Sequence, residues 1–429
     1  MARKSFDGGW FIRSKRLLSM IILATAFSSA ARVAFASQSS TIFVGTVADL
    51  YTAVNDPTHA GATVVLAAGT YTLSKDQPNG GRLDLQFDMS LVGIEGDPGA
   101  VTIDASALPP SSFNFTIGRT GIIRTGRGTN AIEWLTVRGN PAAAAAISTD
   151  LIQKDLAGIA MPTTIRVAHV VADGSARGVD IRNALGDTQG RRIVGQIEYS
   201  EFRWGVEGIR FANFVGAHNG EISVTMRSNY SHQNRLGCIL ENNRSNAATI
   251  AVTSEGDVFD DNGLGCDIGG GLANAQTGSA SFNTTRFNAH GSSFTNNTRT
   301  VFNTAAGGPL FTDKGGLVVS AADLLGPSTP PLTYSASDNA VIVRLWDCEI
   351  AGNHSVEVVN NVTVEHFDFE AFGARSDLVP PSNDLAGTDN HVLIQLRGTT
   401  AAVDVVEHDS VPEDPNGTNT VTVVRIPMR

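Results

Sequence analysis

Short apolar runs recur along the middle of the chain at a long and nearly fixed interval. The segments GVDIRN, GIRFAN, GCILEN and GCDIGG begin at positions 178, 208, 237 and 265, so their starts are 30, 29 and 28 residues apart. Within each copy, apolar residues two positions apart alternate with a mostly polar residue, the pattern of a strand with one buried face. A strand that returns at this interval predicts a solenoid, in which each turn of chain pairs with the next.

The alternation predicts two inward-facing columns of apolar side chains. The first column consists of Val179, Ile209, Cys238, Cys266 and, in a fifth copy SVEVVN at 355–360, Val356. The second consists of Ile181, Phe211, Leu240, Ile268 and Val358. The residue between the columns is polar in most copies and is predicted to face water: Asp180, Arg210, Asp267 and Glu357, with Ile239 as the exception. A weaker copy, TVFNTA, lies at 300–305.

Asparagine marks the point ahead of three copies. Asn234, Asn262 and Asn297 each lie three residues before a copy, and asparagine tolerates left-handed corners and can hydrogen-bond along a stack. We interpret these positions as repeated corners. An antiparallel sandwich also contains many short strands, but it does not require apolar and polar positions to recur at a fixed long period. The pattern therefore predicts an all-β chain folded as a right-handed parallel β-helix solenoid.

The start of this region resembles a known family. The segments VADLYTAVNDPTHAGATVVLAAGTYTL (47–73) and LVGIEGDPGAVTIDAS (91–106) are similar to the opening coils of pectin-lyase-like right-handed β-helix proteins. The resemblance implies an N-terminal capping helix at about Val47–Asn55, followed by the strands VVLAA and TYTL. Gly- and Pro-rich stretches near 305–340 and 372–391 depart from a plain solenoid, and we predict long loop insertions there.

The first 36 residues have the layout of a secretory signal peptide. A basic flank containing Arg13, Lys15 and Arg16 precedes the apolar run at 17–27, and Ala34-Phe35-Ala36 supplies small residues for cleavage. This predicts a secreted or extracytoplasmic protein, cleaved after Ala36, whose mature part is one β-helix domain at 37–429. The alternative is a buried or anchoring N-terminal helix. Beyond this segment, no apolar stretch is long enough to predict a transmembrane helix.

The net charge and the number of cysteines limit which ligands and metals the sequence predicts. The chain of 429 residues carries 31 Lys and Arg against 42 Asp and Glu, a net charge of −11. Without residues 1–36, which hold six basic residues and one acidic residue, 25 basic and 41 acidic residues remain, a net charge of −16. Such a chain is a poor nonspecific ligand for nucleic acid. The three cysteines match no zinc pattern, no acidic cluster indicates calcium, and any cofactor stays unassigned.

An arginine-rich window interrupts this acidity. Between positions 166 and 244 there are ten Arg and eight Asp or Glu. Four of these arginines fall on successive coils, and they are the candidates if the protein binds an acidic polysaccharide, because guanidinium groups hold carboxylates in bidentate fashion: Arg203, Arg210, Arg235 and Arg244. The alternative is a set of cross-coil ion pairs with Asp180, Glu241 and similar neighbours, and the charge pattern itself favours this interpretation.

The candidate catalytic chemistry is sparse. One hydrolase family with this fold carries an adjacent Asp pair followed by a Gly-His-Gly motif, and Asp260-Asp261 and His290-Gly291 resemble parts of these. Its Asn-Thr-Asp and Arg-Ile-Lys segments are missing. The other histidines, His232 among them, are interpreted as corner residues. Two functions stay open: a noncatalytic carbohydrate- or surface-binding protein, and a polysaccharide lyase or glycoside hydrolase acting on an acidic polysaccharide.

Overall fold

A computed structural model describes residues 40–114, 120–125, 128–139, 144–149, 163–183, 190–215, 217–274, 278–299, 314–325, 335–359, 362–376, 387–399, 405–411 and 418–427. Here the chain is a right-handed parallel β-helix, in which each coil contributes short strands to three sheet faces. Every pairing among the described strands is parallel apart from one antiparallel hairpin. The predicted signal peptide at 1–36 and the weak copy at 300–305 lie outside these ranges.

The three faces are built from strands that repeat once per coil. Face 1 contains Thr41–Val44, Thr63–Leu66, Ser90–Val92, Thr129–Arg138, Thr163–Asp173, Arg192–Glu198, Glu221–Arg227, Thr249–Glu255, Thr284–His290, Ala340–Trp346, His391–Arg397 and Thr420–Ile426. Face 2 contains Gly69–Thr72, Val101–Asp104, Glu201–Arg203, Tyr230–His232, Val258–Asp260, Ser293–Thr295 and Glu349–Ala351, together with the C-terminal ends of Thr129–Arg138 and Thr163–Asp173.

Face 3 contains Leu83–Asp84, Gly121–Arg124, Ala145–Ser148, Arg177–Asn183, Glu207–Asn213, Leu236–Asn242, Leu264–Gly269, Leu272–Asn274, Gly315–Ser320, Asp323–Leu325, Phe369–Ser376 and Val405–Val411. Smaller elements are the strand pair Ala280–Ser281 and Ala336–Ser337, the antiparallel hairpin Ser355–Val359 and Val362–His366, and the 3₁₀ turns Pro57–His59, Pro78–Gly81 and Pro110–Ser112. Corner 1 joins face 1 to face 2, corner 2 joins face 2 to face 3, and corner 3 returns to face 1.

The helix implied at about Val47–Asn55 is present at Val47–Asn55. Thr46 begins it, because its side chain accepts a hydrogen bond from the Asp49 amide at 3.1 Å. The Tyr51 hydroxyl donates to the Gly81 carbonyl at 2.8 Å and ties the helix to the first coil. The buried residues of the helix are part of the same apolar core as the strands: Leu50, Tyr51, Ala53 and Val54.

The two predicted columns are confirmed for the first four copies. In each column, every residue pairs in register with the next one along the solenoid. The first column is Val179, Ile209, Cys238 and Cys266, and the second is Ile181, Phe211, Leu240 and Ile268. All eight side chains are fully buried. Cys238 and Cys266 are free thiols, and burial together with the neighbouring Cys238 thiol raises the pKa of Cys266.

The prediction for the fifth copy is wrong. Cys266 pairs with Leu317 and Ile268 pairs with Val319, so the columns continue through Gly315–Ser320. Val356 instead lies in the antiparallel hairpin and is 58% exposed. The hairpin is also an apolar–polar alternating segment, and alternation alone does not distinguish an inserted hairpin from a strand of the solenoid.

The predicted insertions extend too far into the solenoid. Gly315–Ser320 and Asp323–Leu325 are strands of face 3 inside the range 305–340, and Phe369–Ser376 continues face 3 into the range 372–391. Much of the remainder, including 326–334 and 377–386, lies outside the described residues. Glycine is required at position 316 of the strand Gly315–Ser320, because the adjacent coil lies so close that an added Cβ would be 2.6 Å from the Asp368 carbonyl oxygen. Glycine at this point therefore does not indicate a loop.

The predicted corners at Asn234, Asn262 and Asn297 are confirmed. The side-chain oxygen of Asn262 accepts the Asn234 backbone N–H, Asn297 does the same for Asn262, and Asn353 extends the series. The Asn262 amide group also donates to the Ser231 carbonyl at 2.9 Å. Because all four asparagines are buried, the ladder satisfies backbone groups that water cannot reach at corner 2.

Corner 1 contains a similar ladder with an acid in it. The Asp257 carboxylate accepts the Asn229 backbone N–H at 2.8 Å, the Asn229 side-chain amide at 2.9 Å and the Ser254 hydroxyl at 2.6 Å. Asp257 is fully buried. Burial outweighs these hydrogen bonds and raises the pKa of Asp257 to about 6.

Asp257→Asn is therefore expected to stabilise the protein in a pH-dependent way. A raised pKa in the folded state means that the folded state binds the proton more tightly, so the stability contributed by this group is complete below about pH 4 and is lost as the pH rises through 6. The substitution should raise the free energy of unfolding by about 2–3 kcal/mol at pH 7.5 and by little at pH 4. Urea unfolding at both pH values measures this. Glu221→Gln, at an exposed carboxylate, serves as the control, and an equal effect of Asp257→Asn at both pH values would contradict the account.

Candidate site on face 2

Face 2 gathers polar side chains into one column. Its three-residue strands bury the middle residue, as at Phe202 and Phe259, and turn the first and third residues outward. The last residues of the strands stack in register on successive coils: Asp104, Arg138, Asp173, Arg203, His232, Asp260 and Thr295. Strands one coil apart are separated by about 4.8 Å, so these side chains are close enough to form a continuous polar track.

Arg203 and Glu201 form the middle of this track. Arg203 contacts the Glu201 carboxylate at 2.7 Å and the Asp173 carboxylate at 3.4 Å. His232 lies 3.0 Å from the same Glu201 oxygen. Burial opposes ionisation of Glu201, but the hydrogen bonds from His232 and Arg203 outweigh it and hold the pKa of Glu201 below its usual value. Glu201 is therefore a fixed anionic hydrogen-bond acceptor.

Tyr230 and Asp260 lie on the next coils. The Tyr230 ring stacks on His232 with 4.1 Å between ring centroids. Burial and the nearby charges of Asp260 and Asp261 raise the pKa of Tyr230, so its phenol stays protonated and can donate a hydrogen bond. Asp260 accepts hydrogen bonds from the Thr295 hydroxyl at 2.8 Å and from the Asn296 amide at 2.9 Å.

Corner 2 places an aromatic ring beside the track. Trp204 directly follows Arg203 and has a positive φ of 56°. The Arg299 guanidinium lies 4.9 Å from the Trp204 ring centroid and also contacts Asp261 at 2.7 Å. The ring is therefore held from one side by a cation that is itself held by a carboxylate.

Corner 1 has aromatic rings on three successive coils. Trp134 stacks on His169 at 3.7 Å between centroids, and His169 stacks on Tyr199 at 5.1 Å, with interplanar angles of 5° and 9°. All three residues have positive φ, between 50° and 57°. Left-handed backbone is costly for bulky side chains, so these corners carry aromatic rings where a smaller residue would be less strained.

The structure brings together three of the six predicted site residues. Arg203, Asp260 and Asp261 lie at face 2 and corner 2 with Glu201, Trp204, Tyr230 and His232, and Tyr199 lies at corner 1 at the other end of the strand Glu201–Arg203. We call these eight residues the face 2 cluster. Arg210, Arg235 and Arg244 do not join them. Arg210 pairs in register with Ile239, whereas Arg203 pairs with His232, so the predicted arginines do not occupy one column.

Arg210 and Asp180 do not face water, contrary to expectation. Asp180 is fully buried and Arg210 is nearly so. Arg210 forms ion pairs with Glu241 and Glu207, and its guanidinium lies 5.7 Å from the Phe214 ring centroid. Burial disfavours the charge, but Glu241 and Glu207 outweigh it and raise the pKa of Arg210. Removing Arg210 would take away the ion pair of Glu241 and one of the two arginine partners of Glu207, which also contacts Arg177 at 2.6 Å. Arg210→Ala would therefore destabilise the fold and cannot serve as a neutral binding test.

Arg235 and Arg244 lie at either end of the same face 3 strand. Arg235 directly precedes Leu236–Asn242, and the Arg244 guanidinium donates to the Asn243 side chain at 2.7 Å. Burial lowers the pKa of Arg244. Asp267, also predicted to face water, is partly buried and lies 3.9 Å from Arg375, while the side chain of Glu357 lies outside the part of the chain that the structure describes. The outer side of face 3 is thus an ion-paired layer in its described part.

Sequence reasoning missed five members of the face 2 cluster. Glu201 and Tyr230 are equivalent positions on adjacent coils, as are Arg203 and His232. The repeat is visible in the sequence of face 3, whose strands here are six or seven residues long, whereas the three-residue strands of face 2 are too short for a clear alternation. Extending the 29-residue register of Ile209 and Cys238 back to the preceding strands aligns these positions.

The described residues were compared with the requirements of a membrane span and of a metal site. Within the described residues, no helix is both long and apolar enough to span a bilayer. In the same ranges, His, Cys, Asp and Glu side chains nowhere form a group of three or more that could hold a metal ion.

Comparison with known proteins finds similarity among solved structures. No protein-family model and no curated protein matches the chain. The chain is similar to the A-module of mannuronan C-5 epimerase AlgE6 from Azotobacter vinelandii (15% identity over 89% of this chain and 96% of that one, TM-score 0.33). It is also similar to the catalytic domain of a GH87 α-1,3-glucanase in complex with nigerose (12%, 90%, 68%, TM-score 0.36) and to an alginate lyase from Paenibacillus sp. (12%, 86%, 99%, TM-score 0.26).

The chain has the pectin-lyase-like right-handed parallel β-helix fold. The parallel strand pairings of the chain itself establish the solenoid, and the named activities belong to those proteins. The chemistry of this chain must be argued from the face 2 cluster, because the same fold carries different functions at different sites.

Proposed function

We propose that this protein binds an extended, uncharged polysaccharide along face 2 without cleaving it. The observation that carries the proposal is the placement of Tyr199 and Trp204. They bracket the strand Glu201–Arg203, and both have positive φ, 50° and 56°. Tyr199, Trp204 and Tyr230 are 50%, 37% and 40% exposed. Exposed aromatic rings in strained backbone, grouped around fixed polar side chains, support a binding role.

The polar side chains of the cluster suit the hydroxyl groups of a sugar. Glu201 and Asp260 offer acceptor oxygens, Tyr230 and His232 offer donors, and Arg203 is held in place between two carboxylates. Rigid, oriented polar groups lose little conformational freedom on binding. Aromatic rings supply apolar area for the C–H faces of sugar rings.

Charge favours a neutral ligand over a polyanion. Each of three arginines along this track has a carboxylate partner: Arg138 with Asp104, Arg203 with Glu201, and Arg299 with Asp261. The chain as a whole has a net charge of −11. A polyuronate would have to compete with the internal carboxylates for these cations and would be repelled by the chain at low salt.

The arrangement supports binding over catalysis. A general acid needs a carboxyl group that stays protonated near neutral pH, whereas the pKa of Glu201 is lowered. Asp257, whose pKa is raised, is buried within the corner 1 ladder and hydrogen-bonded to Asn229 and Ser254. An arginine acting as base would have to lose its proton, yet Glu201 and Asp173 raise the pKa of Arg203 against the effect of burial.

A panel of soluble neutral and acidic polysaccharides, titrated by calorimetry with and without Ca²⁺, tests this function. We expect saturable binding to at least one neutral glycan, little change between low and high salt, and no new oligosaccharides by mass spectrometry after long incubation. Cleavage products or unsaturated ends would instead establish a hydrolase or a lyase. Binding restricted to uronate polymers, weakened by salt, would contradict the neutral-ligand proposal.

We also propose that the protein is exported, because its basic flank, apolar run and Ala34-Phe35-Ala36 have the layout of a signal peptide. N-terminal sequencing of protein collected outside the cytoplasm is expected to start at Ser37. Recovery of a chain that still begins with Met1 would contradict this.

A further inference from the structure

The residues at corner 1 change from aromatic to small partway along the solenoid. The residues that occupy this corner on seven successive coils all have positive φ, from 50° to 64°: Trp134, His169, Tyr199, Ser228, Gly256, Gly291 and Asp347. From Tyr199 on, each of these residues directly follows the last residue of a face 1 strand. Those last residues pair in register from coil to coil, as Glu198 does with Arg227 and Arg227 with Glu255. One backbone position therefore carries three rings and then three small residues.

The ring stack points toward the small residues. The planes of Trp134, His169 and Tyr199 are nearly parallel, and the rings come from adjacent coils, so the stack runs along the solenoid. One face of Tyr199 is covered by His169, and the other is directed toward the coil of Ser228. The position where a fourth ring would lie belongs to a serine.

Two and three coils beyond Tyr199, corner 1 is open among the described residues. A Cβ added at Gly291 would meet no atom within 4 Å, and one added at Gly256 would meet the Ser228 hydroxyl at 3.9 Å. We call the surface over Ser228, Gly256 and Gly291 the corner 1 shelf. It is wide enough along the axis for one ring, because each coil advances by about 4.8 Å and an existing neighbour in the stack lies at 5.1 Å.

Polar side chains border the shelf on both sides. On the face 1 side, Arg227 and Glu255 are joined at 3.0 Å with both side chains nearly half exposed. Arg227 directly precedes Ser228 and pairs in register with Glu198, which directly precedes Tyr199. On the face 2 side lies Tyr230 of the face 2 cluster.

From this geometry we infer that the corner 1 shelf is a subsite for one sugar ring, stacked on the free face of Tyr199. This inference rests on the proposed carbohydrate function and names the place where a pyranose lies flat. Its C–H face covers Tyr199, and its equatorial hydroxyls reach Arg227 and Glu255 on one side and Tyr230 on the other. The ring completes the stack at the point where the chain stops supplying aromatic residues.

Filling the shelf from within the protein tests the inference. Ser228→Tyr should continue the stack, since Tyr199 already holds a tyrosine ring in the same left-handed backbone one coil earlier. We expect its Kd for the neutral glycan that the wild type binds to rise by at least about tenfold. The matched control Asp338→Tyr places the same ring in left-handed backbone (φ 57°) at an exposed position of corner 3, away from the shelf, and should bind as the wild type does. If Ser228→Tyr does not fold by circular dichroism, Ser228→His replaces it, because His169 already occupies the equivalent corner in the stack.

The outcomes separate this inference from the proposed function. Weakened binding by Ser228→Tyr with normal binding by Asp338→Tyr supports the subsite. Unchanged binding by a folded Ser228→Tyr or Ser228→His variant overturns the subsite and leaves carbohydrate binding on face 2 intact. A wild-type protein that binds none of the panel glycans overturns both.

Discussion

Replacing Asn262 with alanine is expected to lower the free energy of unfolding by about 3–5 kcal/mol. The Asn262 side chain accepts the Asn234 backbone N–H at 2.9 Å and donates to the Ser231 carbonyl at 2.9 Å. Alanine leaves both groups buried without these partners and opens a void between coils. Each buried polar group left unsatisfied costs about 1–3 kcal/mol, and the void adds to this.

Asn288→Ala is the matched control for this prediction. Asn288 lies on the outer side of face 1, where its contact with Arg344 is long, at 3.4 Å, so its removal should change stability by less than about 0.5 kcal/mol. Urea denaturation of the two variants gives the comparison. Similar stabilities for Asn262→Ala and Asn288→Ala would show that the corner 2 ladder does not hold the coils together.

The double variant Tyr199→Asn/Trp204→Asn is expected to lose glycan binding by about 100-fold or more while keeping its thermal stability. Asparagine accepts the left-handed backbone at both corners better than an aromatic residue does. That relief offsets the lost stacking on His169 and the lost contact with Arg299, which are worth about 0.5–1.5 kcal/mol each. Calorimetric titration and thermal melting of the same sample measure both effects.

Phe282→Asn is the control for the aromatic rings. Phe282 is 62% exposed and also has a positive φ, 58°, but it lies at corner 3, away from face 2. The substitution should relieve strain without affecting binding. A loss of binding in Phe282→Asn comparable to that in the double variant would mean that the glycan does not select face 2.

The face 3 columns and the corner asparagines are predictable because they repeat at a fixed interval in the sequence. Cys238 and Cys266 follow the same dipeptide Leu-Gly 28 residues apart, and one repeat directly fixes the register of the next in a solenoid. Val356 is misassigned from sequence because its hairpin alternates as a strand does. Local alternation carries no information about whether a strand joins the stack or leaves it.

The burial of Asp180 and Arg210 does not follow from the pattern. An outward position of a sheet faces water only if nothing covers it, and the Phe214 ring and the cross-coil partner Glu241 are brought there by tertiary structure. The outer side of face 3 also carries a small apolar cluster of Leu236, Leu264 and Val318. Polarity in the sequence is therefore a poor guide to exposure on this face.

Only part of the face 2 cluster is predictable from the sequence. Asp260 and Asp261 stand out as an adjacent pair, and Arg203 as a member of a basic window, and the structure places all three in one cluster. Tyr199 and Trp204 give no signal, because a left-handed corner is recognised in sequence by Gly, Asn or Asp. Their importance comes from occupying a backbone conformation that disfavours them.

Hydroxyl-radical footprinting with and without a bound neutral oligosaccharide tests the central claim most directly, because it reports the exposure of individual aromatic side chains. If the glycan binds on face 2, it slows oxidation of Tyr199, Trp204 and Tyr230 and leaves Phe282 and Trp346 oxidised at the same rate. Protection of Phe282 or Trp346 with no protection of Tyr199, Trp204 and Tyr230 would contradict binding on face 2.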